Sequence, residues 1–187
     1  MVQTAAFDQF EELVPLAAEW AAEQEEWILR EGVPLSEQEI ADAKTLGVRE
    51  PERVRLLQVD AIPTPMHPML KAACNAINFR TATPRGLTLQ YGIFVRSDCW
   101  RDRFLIAHEL AHTAQYQRLG GILPFLRGYL FQCATIGYRE APLEREALHA
   151  AQRVCSPLAE GSFDARLNGS TFGCRVAGRS DAVPIRI

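Results

Sequence analysis

With 187 residues, 48% of them apolar, the chain is long enough for one substantial core and an accessory segment. A net charge of -3 lacks the basic excess of nucleic-acid or anionic-membrane binders, so neither partner is expected. No stretch approaches the roughly 18 consecutive apolar residues of a bilayer span, and a start carrying Gln3, Asp8, Glu11 and Glu12 is unlike a secretory leader.

In chain order, the first third reads as an acidic helical layer. Phe7, Phe10, Leu13, Val14, Ala17, Trp20, Ala21, Trp27 and Ile28 recur at helical spacing, with glutamates on the other faces. Gly32 and Pro34 stop that helix. Ser36 and Glu39 form a capping box that opens a second helix, ended by Gly47. Val54–Val59 reads as a strand, and Ala61–Pro68 as a proline-rich connection in which His67 is a loop residue. A short helix is expected over Met69–Asn78, then a turn at Thr83–Gly86 and a strand or hairpin over Leu87–Val95.

Asp98 is the expected N-cap of the next helix, which runs to about Leu119 before Gly120 and Gly121. This helix carries the segment Ala107–Thr113 with His108, Glu109 and His112 in the order HExxH. Two histidines four apart lie about 40° apart on a helix of 3.6 residues per turn, so both imidazoles reach one metal ion. Glu109 points to a neighbouring angle, where it serves a water beside the metal instead of the metal itself. A second apolar helix spans Ile122–Gly137, and Pro142 suits the first turn of another that continues to about Val154. Beyond Ser156 the chain is Gly- and Ser-rich and weakly periodic, and an extended or partly disordered tail is expected.

The five cysteines, Cys74, Cys99, Cys133, Cys155 and Cys174, are odd in number and widely spaced. That usage fits reduced thiols in a cytoplasmic protein better than a disulfide framework, with Cys155 and Cys174 open as one pairing.

A catalytic zinc site needs three protein ligands and an open position. Downstream donors with enough reach are Glu140, Glu144, Glu146 and His149. The run from His108 to Gln115 (His-Glu-Leu-Ala-His-Thr-Ala-Gln), the strand before it and the run Pro142-Leu-Glu-Arg-Glu-Ala147 resemble the minimal glutamate zincins. Among these are the metallopeptidase-like domains associated with extracellular contractile injection systems. The resemblance covers roughly residues 85–155 and implies Glu144 as the third zinc ligand, with Ala147 three residues beyond it. Helix geometry agrees. A carboxylate in a first turn is favoured by the macrodipole, and Glu146 lies about 200° round the helix from Glu144.

One position departs from that pattern. Relatives with a longer signature carry an aspartate four residues after the ligand glutamate, orienting a zinc histidine, and this chain has Leu148 there. Glu140 and Asp102 are the sequence's candidates to replace it. For a transition-state donor, Tyr138 and His149 are the candidates, with Tyr116 equally suited to packing.

The chain is therefore expected to be an α+β, zincin-like protein, helix-dominated with a small β-sheet or hairpin beside the HExxH helix. A helical N-terminal layer (1–80) would pack on a metal-binding core (81–155), with a tail over 156–187. The expected function is zinc-dependent peptide hydrolysis, with His108, His112 and Glu144 as ligands, Glu109 as general base and a peptide or protein as substrate. The alternative is a non-catalytic zinc-binding scaffold. Oligomeric state is left open.

Overall fold

In the computed structural model, the structure describes residues 2–76 and 84–156, and side chains over 10–74 and 84–156. Among the described residues the architecture is α+β and helix-dominated, with six α-helices and a small four-stranded mixed sheet.

Helix α1 (Val2–Glu31) is closed where Gly32 N–H donates to the Ile28 carbonyl at 2.7 Å. The next two residues, expected only to break the helix, form a short strand β1 (Val33–Pro34) at the sheet edge. Helix α2 (Glu37–Thr45) has both halves of the Ser36–Glu39 capping box in place. Strand β2 (Arg55–Val59) and helix α3 (Pro68–Ala76) follow.

The expected strand or hairpin is a hairpin. Strand β3 (Gly86–Leu89) turns through Gln90 and Tyr91 into β4 (Gly92–Arg96), and Gln90 takes a φ of 58° in the turn. The sheet order is β1-β2-β4-β3, with β2 parallel to β4 and β3 antiparallel at the far edge. The sheet thus draws two strands from the first 80 residues and two from the segment that follows.

Helix α4 (Arg103–Leu119) carries the HExxH motif. Its N-cap is Asp102, not the expected Asp98: the Asp102 carboxylate accepts from Leu105 N–H at 3.0 Å. A three-residue turn over Ser97–Cys99 delays the helix start, leaving Asp98 paired with Arg96 on the surface. The C-terminus behaves as expected, because Gly120 adopts a left-handed φ of 100° that a side chain would resist. Helix α5 (Ile122–Thr135) stops two residues short of the expected Gly137, and α6 (Pro142–Cys155) begins with its proline in the first turn.

The main core joins Leu56 of β2, Ile93 and Val95 of β4, and Leu105, Ile106 and Leu110 of α4. Each such fully buried aliphatic side chain contributes roughly 1.5–3 kcal/mol. The Arg103 guanidinium clamps Asp42 of α2 through two 2.9 Å hydrogen bonds, which hold the Asp42 carboxyl below its usual range. Together these contacts press α4 between β3 on one side and α6 on the other. Among the described residues no helix is long and apolar enough to cross a membrane. Cys74, Cys99, Cys133 and Cys155 are free thiols, while Cys174 and the tail beyond Ser156 lie outside the described residues.

Candidate metal centre

His108 and His112 point from one face of α4 toward α6, whose first turn supplies Glu144. All three are buried, at 2%, 1% and 5% exposure. The two Nε2 atoms are 3.1 Å apart, and Glu144 reaches both, with Oε2 at 3.4 Å from His108 Nε2 and Oε1 at 3.3 Å from His112 Nε2. These three residues form a group that could hold a metal ion. The spacing tests that reading directly: four-coordinate bonds of 2.0–2.1 Å at tetrahedral angles set donor atoms about 3.3–3.5 Å apart. The donors fit.

The electrostatics of the cluster are coupled. Burial opposes charge on Glu144, but His112 and His108 beside it outweigh that and hold its carboxyl well below the usual carboxylate range. Burial also opposes charge on His112, yet the Glu144 carboxylate, helped by Glu109 and Gln115, pushes its pKa up to about 9. The cluster therefore prefers one shared cation on the imidazole side.

Two further side chains hold members of this group in place. Gln115 accepts a hydrogen bond from His112 Nδ1 at 2.8 Å and donates through Nε2 to the Leu143 carbonyl at 2.9 Å. The second bond fixes the amide orientation, so Nδ1 carries a proton toward Gln115 and Nε2 is left to face Glu144, where it holds a second proton that a bound metal would have to displace. Tyr129 of α5 donates its hydroxyl to Glu144 Oε1 at 2.8 Å. Gln115 was visible in principle as a polar residue three after His112, on the same helix face. Tyr129 was read only as part of the apolar stripe of α5.

The proposed replacements for the missing aspartate do not act on the histidines. Asp102 caps α4 and pairs with Arg85, and Glu140 is exposed near Arg145. Gln115 serves His112 instead, while His108 Nδ1 has no hydrogen-bond partner among the described residues. Leu148 is 37% exposed.

Glu109 is fully buried against the hairpin. The Thr88 hydroxyl donates to its Oε2 at 2.6 Å, whereas Oε1 has no hydrogen-bond partner among the described residues. Gly86 makes room for it: a Cβ at that position would lie 2.5 Å from Glu109 Oε1. Burial pushes the Glu109 carboxyl up, against the pull of His108, His112 and the Thr88 hydroxyl.

The remaining candidates are dispersed. Glu146 is exposed and forms a two-pronged pair with Arg118 at 2.5 and 2.8 Å. His149 is exposed and lines a shallow depression with Glu140, Glu146 and Arg153. Tyr116 is buried, stacks on Phe125 and donates to the Thr88 carbonyl at 3.2 Å, so it packs the core. Tyr138 lines a cavity of about 1050 Å³ whose wall also includes His112, Tyr129 and Thr88.

In comparisons with known proteins, no family model, no curated protein and no solved structure matches this chain.

Proposed function

We propose that the protein is a zincin-like, zinc-dependent peptide hydrolase in which His108, His112 and Glu144 hold the ion and Glu109 is the general base. The observation that carries this reading is Glu109 Oε1, an unpartnered carboxylate oxygen on a fully buried residue between two ligand histidines. Leaving a buried acceptor unsatisfied costs about 1–3 kcal/mol, and more when it is charged. A purely structural metal site has no use for that expense, whereas a proton acceptor needs an open oxygen.

Two imidazoles and one carboxylate form the donor set of hydrolytic zinc sites. A bound zinc ion would supply Lewis acidity to a water and to a carbonyl. Glu109 accepts the proton of that water at Oε1 and delivers it to the leaving amine, while Thr88 fixes the other oxygen. Desolvation raises its carboxyl toward the range where a general base works best. Strand β3, at the sheet edge beside α4, is the element along which an extended peptide would lie. Tyr138, on the wall of the cavity that also includes His112, is the sequence candidate we assign as donor to the oxyanion.

One observation favours the second reading, a zinc-binding scaffold. His108 Nδ1 lacks the outer hydrogen bond that ordinarily orients a ligand imidazole.

Metal content and peptidase activity of wild type, Glu109→Gln and His108→Ala separate the two. Stoichiometric zinc in the first two, little in the third and cleavage by wild type alone supports the hydrolase. A zinc-loaded wild type that cuts no member of a diverse peptide library supports the scaffold.

A further inference from the structure

The cavity beside the metal-ligand cluster is large and nearly free of charge. Its walls come from α1 (Leu13, Ala17, Trp20), α3 (Met69, Ala73) and α5 (Leu126) among other apolar groups. Among the described residues, the charged side chains on the lining are the metal-ligand candidate His112 and the exposed pair Arg139 and Glu140. At about 1050 Å³ it stands at the top of the roughly 300–1,000 Å³ range of ligand pockets, and so has room for several side chains. Three successive residues of β3, Leu87, Thr88 and Leu89, lie along it. Because β3 is the outer strand of the sheet, a peptide can add main-chain bonds along it beside the one the Thr88 carbonyl already accepts from Tyr116; a lipid chain has no use for them.

We propose that this cavity receives the large apolar side chains flanking the scissile bond, which makes the substrate class apolar peptide segments. The proposal rests on the hydrolase reading, but its binding half is measurable without turnover. A carboxylate or ammonium placed in such a lining would lose its hydration with no partner to replace it. The apolar contacts supply the affinity, and Arg139 and Glu140 leave charged residues tolerated only at one end of the bound segment.

The test uses the full chain as its zinc-loaded Glu109→Gln variant, titrated by fluorescence anisotropy with labelled octapeptides. One has central Leu and Phe residues, and the others carry Asp or Lys at the same places. The apolar peptide should bind at least about 100-fold tighter than either charged one. Ala17→Glu on α1 and Ala134→Glu on α5, both on the lining, should each weaken it about tenfold or more, while Ala134→Leu keeps it.

Equal binding of all three peptides overturns the proposal. So does failure of the apolar peptide to bind the full chain, the result expected if a segment of the chain filled the cavity, or binding of dodecanoate in its place. Wild type is then assayed for cleavage. Apolar-selective binding without any cleavage sinks the hydrolase reading and leaves the cavity assignment standing. Cleavage indifferent to charge does the reverse.

Discussion

The Oε1 of Gln115 lies 2.8 Å from Nδ1 of His112, while its amide nitrogen bonds the Leu143 carbonyl at 2.9 Å. One buried side chain thus orients the imidazole of a candidate metal ligand and ties α4 to the first turn of α6, next to Glu144. Gln115→Leu keeps the volume and removes both bonds. Outer-shell partners of this kind are worth 10- to 100-fold in metal affinity, so zinc affinity should fall by about that factor with secondary structure intact. A chelator competition titration that finds unchanged affinity would remove Gln115 from the site.

Tyr129 holds the other ligand element. Its hydroxyl donates to Glu144 Oε1 from a buried position on α5. Tyr129→Phe leaves the ring stacked near Phe125 and deletes only that bond. A hydrogen bond to a charged group contributes about 1.5–3 kcal/mol, and urea denaturation of the metal-free protein should show a loss of that order. Zinc affinity should drop as well, by about tenfold. An unchanged urea midpoint would show that the hydroxyl does not support Glu144.

Gly86 is the position where a methyl group reports on the proposed role of Glu109. A Cβ there would stand 2.5 Å from Glu109 Oε1, too close for the carboxylate to stay. Gly86→Ala should leave zinc content at wild-type level, because the three atoms nearest an added Cβ all belong to Glu109. It should lower kcat about 100-fold, the usual consequence of moving a reacting group by an ångström. Zinc loss in this variant would place Gly86 in the metal scaffold instead.

Proton and metal compete for Nε2 of His112. With its pKa pushed up to about 9, against about 6.5 unfolded, this imidazole is protonated in the folded, metal-free protein until pH rises through 9. The stability from its contact with Glu144 is therefore fully present below pH 6.5 and lost as pH passes 9. Glu144 remains ionised throughout this range, since its carboxyl is depressed. Zinc must displace the His112 proton, so its apparent affinity should rise by up to about tenfold per pH unit between 6.5 and 9. Competition titrations at pH 6.5, 7.5 and 8.5 check this, and a flat profile contradicts it.

Much of the centre was legible because it is local. The 3.6-residue period puts His108 and His112 on one face, and the structure has their Nε2 atoms 3.1 Å apart. Pro142 starts α6 and places Glu144 in its first turn; Ser36 and Gly120 end or open helices where their conformations require. Where the local signal was ambiguous, the reading slipped. Asp98 and Asp102 are both competent caps, and only the turn over Ser97–Cys99 selects the later one.

The sequence by itself determined that the two imidazoles share one helix face, with Glu109 between them, and left a short list of donors for a third place. The tertiary structure decided that Glu144 meets both histidines, while Glu146 turns to Arg118 and His149 to the surface. It alone brought Thr88, Gly86, Gln115 and Tyr129 around the cluster and joined β2 in parallel to β4. The physical reason is one of range. Helical period fixes angles within a single element, but the distance from α4 to α6, α5 and the hairpin depends on how the whole core packs.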